Sequence, residues 1–187
     1  MPDRLSNLLA RFSVAAHVDR TGALHEPATF SADQDTGRLH LLRSGSAQAL
    51  HPGWTPLKLS RPSLLFYPRP FAHRLQPDTG PAVSLLSAEI RFDGGSVSPL
   101  AAALPPVLVL PLEALTEARA TMEQLCEEAD AARCGRRIAL DRLCDLLLLQ
   151  VLRHVIDRSL ASSGMLAGLA DARLSKALIA LHDKPGR

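Results

Sequence analysis

The chain has 187 residues, 47% of them hydrophobic and 21% charged, the profile of a globular protein rather than a disordered tail, a collagen or a coiled-coil rod. Its 21 basic and 19 acidic side chains leave a net charge of +2, too even to mark a nucleic-acid-binding surface. Three cysteines at no metal-ligand spacing argue against a disulfide framework and for a reducing cytosol. The longest strongly apolar run, Leu146–Leu152 broken by Gln150, is too short to span a bilayer, so no membrane partner is expected.

Met1-Pro2-Asp3-Arg4 leads into an amphipathic stretch without a signal-peptide core. Turn signals then recur about every ten residues: Asp19-Arg20-Thr21-Gly22, Asp35-Thr36-Gly37, Ser44-Gly45, Pro52-Gly53, Pro68-Arg69-Pro70 and Pro77-Asp78-Thr79-Gly80. Between them lie short apolar runs: Phe12–Val18, Arg38–Arg43, Ala47–Leu50, Ser63–Tyr67 and Val83–Phe92. This punctuation predicts a mainly β N-terminal half, an antiparallel barrel or sandwich over residues 1–110. In Arg38–Arg43, His40 and Leu42 share one face and Leu39 and Leu41 the other, which predicts a central strand.

After residue 111 the period changes to that of a helix. Leu115, Ala118, Met122, Leu125 and Ala129 form one apolar stripe over Leu112–Ala132. A second predicted helix, Arg136–Leu160, carries two stripes. One is Leu140, Cys144, Leu147, Val151 and Val155; the other includes Ile138, Leu149, Leu152 and Ile156. A surface helix needs one stripe. The second predicts either more core or a homodimer contact through Leu149, Leu152 and Ile156, within a helical segment over 111–170. A last helix is expected from Asp171, a plausible N-cap, to the end of the chain at 187.

No Walker loop, G-x-G-x-x-G or G-x-S-x-G pattern occurs. Pro62-Ser-Leu-Leu-Phe-Tyr-Pro68-Arg-Pro70-Phe-Ala-His73 has the spacing of the second cupin motif, with proline in place of both its glycines. In the first motif the usual His-x-His is reduced to His40, and the following glutamate is absent. Gly37–Gly45, Pro62–Pro70, Leu104–Leu108 and Gly164–Leu174, read together, resemble the N-terminal cupin-type sensor half of AraC-type transcriptional regulators, over about Leu5 to His182.

That resemblance implies an effector-sensing and dimerisation domain, and not an enzyme. The effector would be a small molecule. The DNA contact would belong to a C-terminal helix-turn-helix domain that follows in the family; residues 171–187 look like the start of its first helix. The alternatives are a free-standing metal-dependent cupin enzyme, such as a dioxygenase or isomerase, and a small-molecule-binding cupin. Against the enzyme stand the missing first-motif residues and the long helical half.

His40 and His73 occupy positions that would face a cupin barrel mouth, and His25 could approach from a neighbouring strand. Three imidazoles are a divalent-metal pattern, zinc above all. The plainer reading is a hydrogen-bonded core His40 and a turn His73. Members of the family resembled carry Cys where His25 and Ser87 stand here. Pocket candidates are His40, Leu42, His73 and Trp54, the last either a lid or an outer-sheet aromatic.

Overall fold

The computed structural model describes residues 4–32 and 34–160. The expected helix from Asp171 and the segment 171–187 lie outside the described residues. The chain begins with α1 (Arg4–Arg11) and continues through eight strands: β1 (Val14–Leu24), β2 (Ala28–Phe30), β3 (Gly37–Ser44), β4 (Ala47–Leu50), β5 (Leu57–Leu59), β6 (Ser63–Tyr67), β7 (His73–Pro77) and β8 (Val83–Phe92). After them come α2 (Pro99–Ala102), β9 (Leu108–Pro111), two 3-10 turns, α3 (Arg119–Asp130) and α4 (Arg136–Asp157). The strands form two antiparallel sheets, ordered β1-β8-β3-β6-β9 and β2-β7-β4-β5. This is the mainly β first half and helical second half that the periodicities predict.

Four expected strands fall where the apolar runs place them. The fifth is longer than expected. Asp19-Arg20-Thr21-Gly22 is not a turn: β1 continues through it to Leu24 and absorbs the polar residues in a register shift between Val18 and Arg20. A bulge bends a strand without ending it, and Gly22, at φ 120, takes a conformation that a side chain would oppose.

β3 is the central strand its sequence predicts, paired with β8 on one side and β6 on the other. Leu39 and Leu41 point to one face and join a core that includes Leu104, Leu125, Leu147 and Val151. His40 and Leu42 point to the other, where Leu42 packs with Leu65, Leu75 and Leu85 between the two sheets. The helices therefore cover the outer face of the five-stranded sheet. Gly37 marks the tightest approach: a Cβ there would lie 2.4 Å from the Tyr67 carbonyl oxygen, so β3 and the end of β6 meet only because that side chain is missing.

α4 fits against the barrel at its edge. β1 is an edge strand, and its outward amides need acceptors. Asp145 Oδ1 accepts from the Ala16 amide at 2.7 Å, and Asp141 Oδ1 accepts from the Val18 amide at 2.8 Å. Two strand residues advance about 6.6 Å, and four helical residues about 6 Å, so the two spacings match. Arg136 extends the seam, donating to Thr21 Oγ1 at 2.9 Å. The pairing of 16 with 145, 18 with 141 and 21 with 136 means that α4 runs antiparallel to β1.

The first stripe of α4, Leu140, Cys144, Leu147, Val151 and Val155, is buried as expected. Burial of each Leu or Val there contributes about 1.5–3 kcal/mol. The second stripe divides. Ile138 is 65% exposed and Leu149 and Ile156 are half-buried, but Leu152 is completely buried in the chain's own core. Leu152 is thus a core residue and not an interface residue. A helix face about 100° wide reaches around to Leu152 between Leu148 and Val155, so the boundary between the stripes lies one position further out.

Candidate functional site

The inner face of the barrel holds a chain of polar side chains amid apolar neighbours. His40 projects inward from β3 and has no solvent exposure. Ser87, on the adjacent β8, is its register partner and is equally buried. His73 opens β7 on the facing sheet. Ser87 Oγ lies 2.7 Å from His40 Nδ1, and His40 Nε2 lies 2.8 Å from His73 Nε2. His73 Nδ1 lies 2.7 Å from the Phe71 carbonyl oxygen.

These contacts fix the protons. A carbonyl only accepts, so His73 Nδ1 donates and its Nε2 is a bare acceptor. His40 Nε2–H then donates to it, which leaves His40 Nδ1 to accept the Ser87 hydroxyl proton. Both rings are neutral in this arrangement. Burial is the main reason: it holds His40 well below its ordinary pKa and lowers His73 to about 4, with the Arg38 guanidinium nearby pushing both the same way. Arg38 is itself held by Asp19 and Glu89 and lies over the Phe30 ring at 5.3 Å.

A second polar pair lies beside the first. His51, just past β4, is buried, and its Nε2 is 2.8 Å from the hydroxyl of the fully buried Tyr67. Its Nδ1 is buried, with no hydrogen-bond partner among the described residues. Burial lowers the His51 pKa and raises that of the Tyr67 phenol. Aromatic rings enclose this pair. Phe71 stands 5.4 Å and Trp54 5.7 Å from the His51 ring, and Tyr67 stacks on His73 at 4.0 Å. Trp54 remains 46% exposed, packed on Phe71 at 5.3 Å rather than flat on the outer sheet.

His51 and His73 both face a solvent-open hollow of about 680 Å³, walled by Phe30, Leu50, Pro52 and Arg74. That volume is in the range of small-molecule sites. Of the expected pocket residues, His73 lines it, while His40 and Leu42 lie in the buried interior. Sequence reasoning passed over His51. It stands beside the Pro52-Gly53 turn, and nothing in its local pattern reveals that its ring turns inward to Tyr67.

The three expected metal ligands do not assemble. His40 and His73 meet, but His25 is exposed just beyond β1, and among the described residues no group of three or more His, Cys, Asp or Glu side chains could hold a metal ion. His51 is the imidazole nearest the pair, 6.2 Å from His73 between ring centres, and its Nε2 is taken by Tyr67. The residue after a strand is free of the strand's alternation, so placing His25 near β1 in sequence does not direct it into the barrel. Among the described residues no helix is long and apolar enough to cross a membrane. The three cysteines differ: Cys144 is buried, Cys126 partly so and Cys134 exposed.

A cupin family model, Cupin_6, matches residues 3–157. An uncharacterized HTH-type transcriptional regulator of Haemophilus influenzae is 39% identical over 59 residues, 32% of this chain and 20% of that protein. Among solved structures, ToxT of Vibrio cholerae strain SCE256 bound to an unsaturated fatty acid matches with a TM-score of 0.49 and 10% identity, over 94% of this chain and 64% of that one. ToxT of Vibrio cholerae O395 bound to (E)-4-(8-methylnaphthalen-1-yl)but-3-enoic acid matches with a TM-score of 0.48 and 10% identity, over 94% and 67%. The chain thus spans a fifth of the regulator it matches and about two thirds of these structures. With its barrel and its helical half matched as one unit, the chain belongs to the cupin family.

Proposed function

We propose that this chain senses a small-molecule effector and dimerises within an AraC-type transcriptional regulator, where DNA contact falls to a helix-turn-helix domain. The observation that carries this reading is the pairing of a roomy hollow at the barrel mouth with a helix clamped to the barrel's edge by Asp141 and Asp145. A sensor needs both, a place for the effector and a rigid element that reports it. A metal-dependent cupin enzyme would need a ligand set that the described residues do not provide.

Dimerisation is supported by α4. Ile138 and Leu146 are exposed, and Leu149 and Ile156 are half-covered; together they form an apolar strip that a second copy would cover. The chain is expected to be a dimer at tens of micromolar by light scattering, in the range of ordinary subunit affinities. Leu149→Glu with Ile156→Glu should give monomer with an unchanged circular dichroism spectrum. A monomeric unmodified chain at that concentration would sink the dimer reading.

A further inference from the structure

β1 changes face part-way along its length. Ala16 and Val18 pack with the helices, whereas Leu24 packs between the two sheets. Strict alternation would put all three on one face. The extra residue is Asp19. Val18 pairs with Ala88 and Arg20 with the adjacent Ser87, which leaves Asp19 without a partner on β8. The bulge therefore decides which part of β1 meets the helices and which part lines the barrel interior.

This bulge is gripped from two sides. On the outside α4 holds both of its ends, through Asp141 on the Val18 amide and Arg136 on Thr21 Oγ1. On the inside Arg38 reaches across from β3. Its Nη1 donates to Asp19 and its Nη2 donates to Glu89 Oε1 at 3.0 Å. Arg38 and Glu89 are register partners, so one guanidinium ties together β3, β8 and β1. The same group lies over the Phe30 ring at 5.3 Å. Phe30 in turn walls the hollow at the barrel mouth and stacks with His73 at 5.0 Å. From the hollow to α4 each neighbour touches the next: Phe30, Arg38, Asp19, the Val18 amide and Asp141.

Building on the sensor reading above, we infer that the Arg38 bridge couples the hollow to α4, with the Asp19 bulge as the moving part. Arg38 is a positioning residue with two settings. With Phe30 beside it, the guanidinium spans both carboxylates. When an occupant of the hollow turns the Phe30 ring, the cation–π support is lost, and Arg38 keeps the better shielded partner, Glu89, at 13% exposure against 32% for Asp19. Asp19 is then released to water, the bulge loosens, and the Val18 amide leaves Asp141. An occupant drives this change by favouring one setting over the other. Such coupling is reciprocal, so a change at Asp141 must be felt at Arg38.

Both ends can be read in the full chain without an effector. Amide hydrogen exchange reports on Val18, and the Arg38 side-chain NMR signal, displaced by the Phe30 ring current, reports on the bridge. Asp19→Ala, at an exposed position, should speed exchange at Val18 about tenfold and leave Ala88 unchanged. Phe30→Leu removes the ring but keeps an apolar side chain, and it should speed Val18 in the same direction; Phe30→Met is the second ringless variant should the first misfold. In the reverse direction, Asp141→Asn should move the Arg38 signal. Arg43→Met is the control. It breaks the ion pair of another β3 arginine with Asp130 at the end of α3, and it should leave Val18 exchange within about twofold. Three results would each overturn the assignment: Val18 exchange unmoved by Asp19→Ala or by the ringless variant, an Arg38 signal unmoved by Asp141→Asn, or equal acceleration by Arg43→Met, the mark of general loosening. The sensing and dimerisation reading survives any of these and is judged separately by the light-scattering result.

Discussion

Chelator-treated protein is expected to lose about 3 kcal/mol of stability between pH 6.5 and pH 4 through His73 alone. The folded-state pKa of His73 is about 4, against 6.5 for a free imidazole. Above pH 6.5 the ring is neutral whether the chain is folded or not, and the group is indifferent. Below it the unfolded chain takes up a proton that the folded chain refuses until about pH 4. Stability therefore falls as pH falls through that window. His40 and His51 are lowered for the same reason, burial, and add in the same direction. For a domain of this size the change corresponds to a drop of roughly 10 °C in Tm. Protonating His73 also removes the acceptor of the pair's hydrogen bond, because the bond between the two Nε2 atoms needs one bare nitrogen, whereas a proton on His40 Nδ1 would cost the hydrogen bond from Ser87. The measurement is Tm against pH at constant ionic strength, for the unmodified chain and for His73→Gln. The variant starts lower and should show a shallower slope. A Tm that is flat from pH 7 to pH 5, or an identical slope in the variant, would contradict the neutral-pair account.

This behaviour depends on a site that the sequence reveals only in part. Period-2 alternation and Gly/Pro punctuation locate β3, β4, β6 and β8, because each is a run of four or more residues bounded by turn chemistry. β2, β5 and β9 are three or four residues long, and β7 begins at His73, which reads as a turn residue after Pro70. Runs so short carry too little periodicity to register, and pairing with neighbouring strands decides them instead. Of the site itself, His40 was legible because alternation gives its face and the cupin spacing gives His73. His51 was not, since its position depends on a contact with Tyr67 sixteen residues away. His25 shows the converse: a residue type suited to metal, close in sequence to the right strand, still turns to solvent. The stripes of α4 identified its buried side correctly apart from Leu152, where a 3.6-residue period cannot say how far around the helix the core extends.

The largest structural effect is expected from α4's two carboxylates. Asp141 and Asp145 stand one helical turn apart, and each accepts from an outward amide of β1. Both are about three-quarters shielded from solvent. A hydrogen bond from an amide to a carboxylate contributes about 1.5–3 kcal/mol where it is shielded. Asp141→Ala with Asp145→Ala should therefore cost about 3–5 kcal/mol, a large share of the stability of an ordinary domain. Part of the loss comes from the strand: without these acceptors β1 becomes an open edge, with amides free to pair with another chain. The double variant should melt about 10 °C lower or more and aggregate on heating. Asp141→Asn with Asp145→Asn keeps acceptor oxygens in place and should recover more than half of the loss, which separates hydrogen bonding from charge. Hydrogen exchange supplies the local test. The Ala16 and Val18 amides should be slow in the unmodified chain and lose protection in the alanine variant, whereas Ala88 and Ile90, deep in the sheet, should stay protected until global unfolding. If Ala16 and Val18 remain protected and Tm moves by less than about 2 °C, the carboxylates do not hold the helix to the barrel. The coupling of the barrel to α4 would then have to run through the apolar core beneath the sheet, where Leu39 and Leu41 share one cluster with Leu147 and Val151.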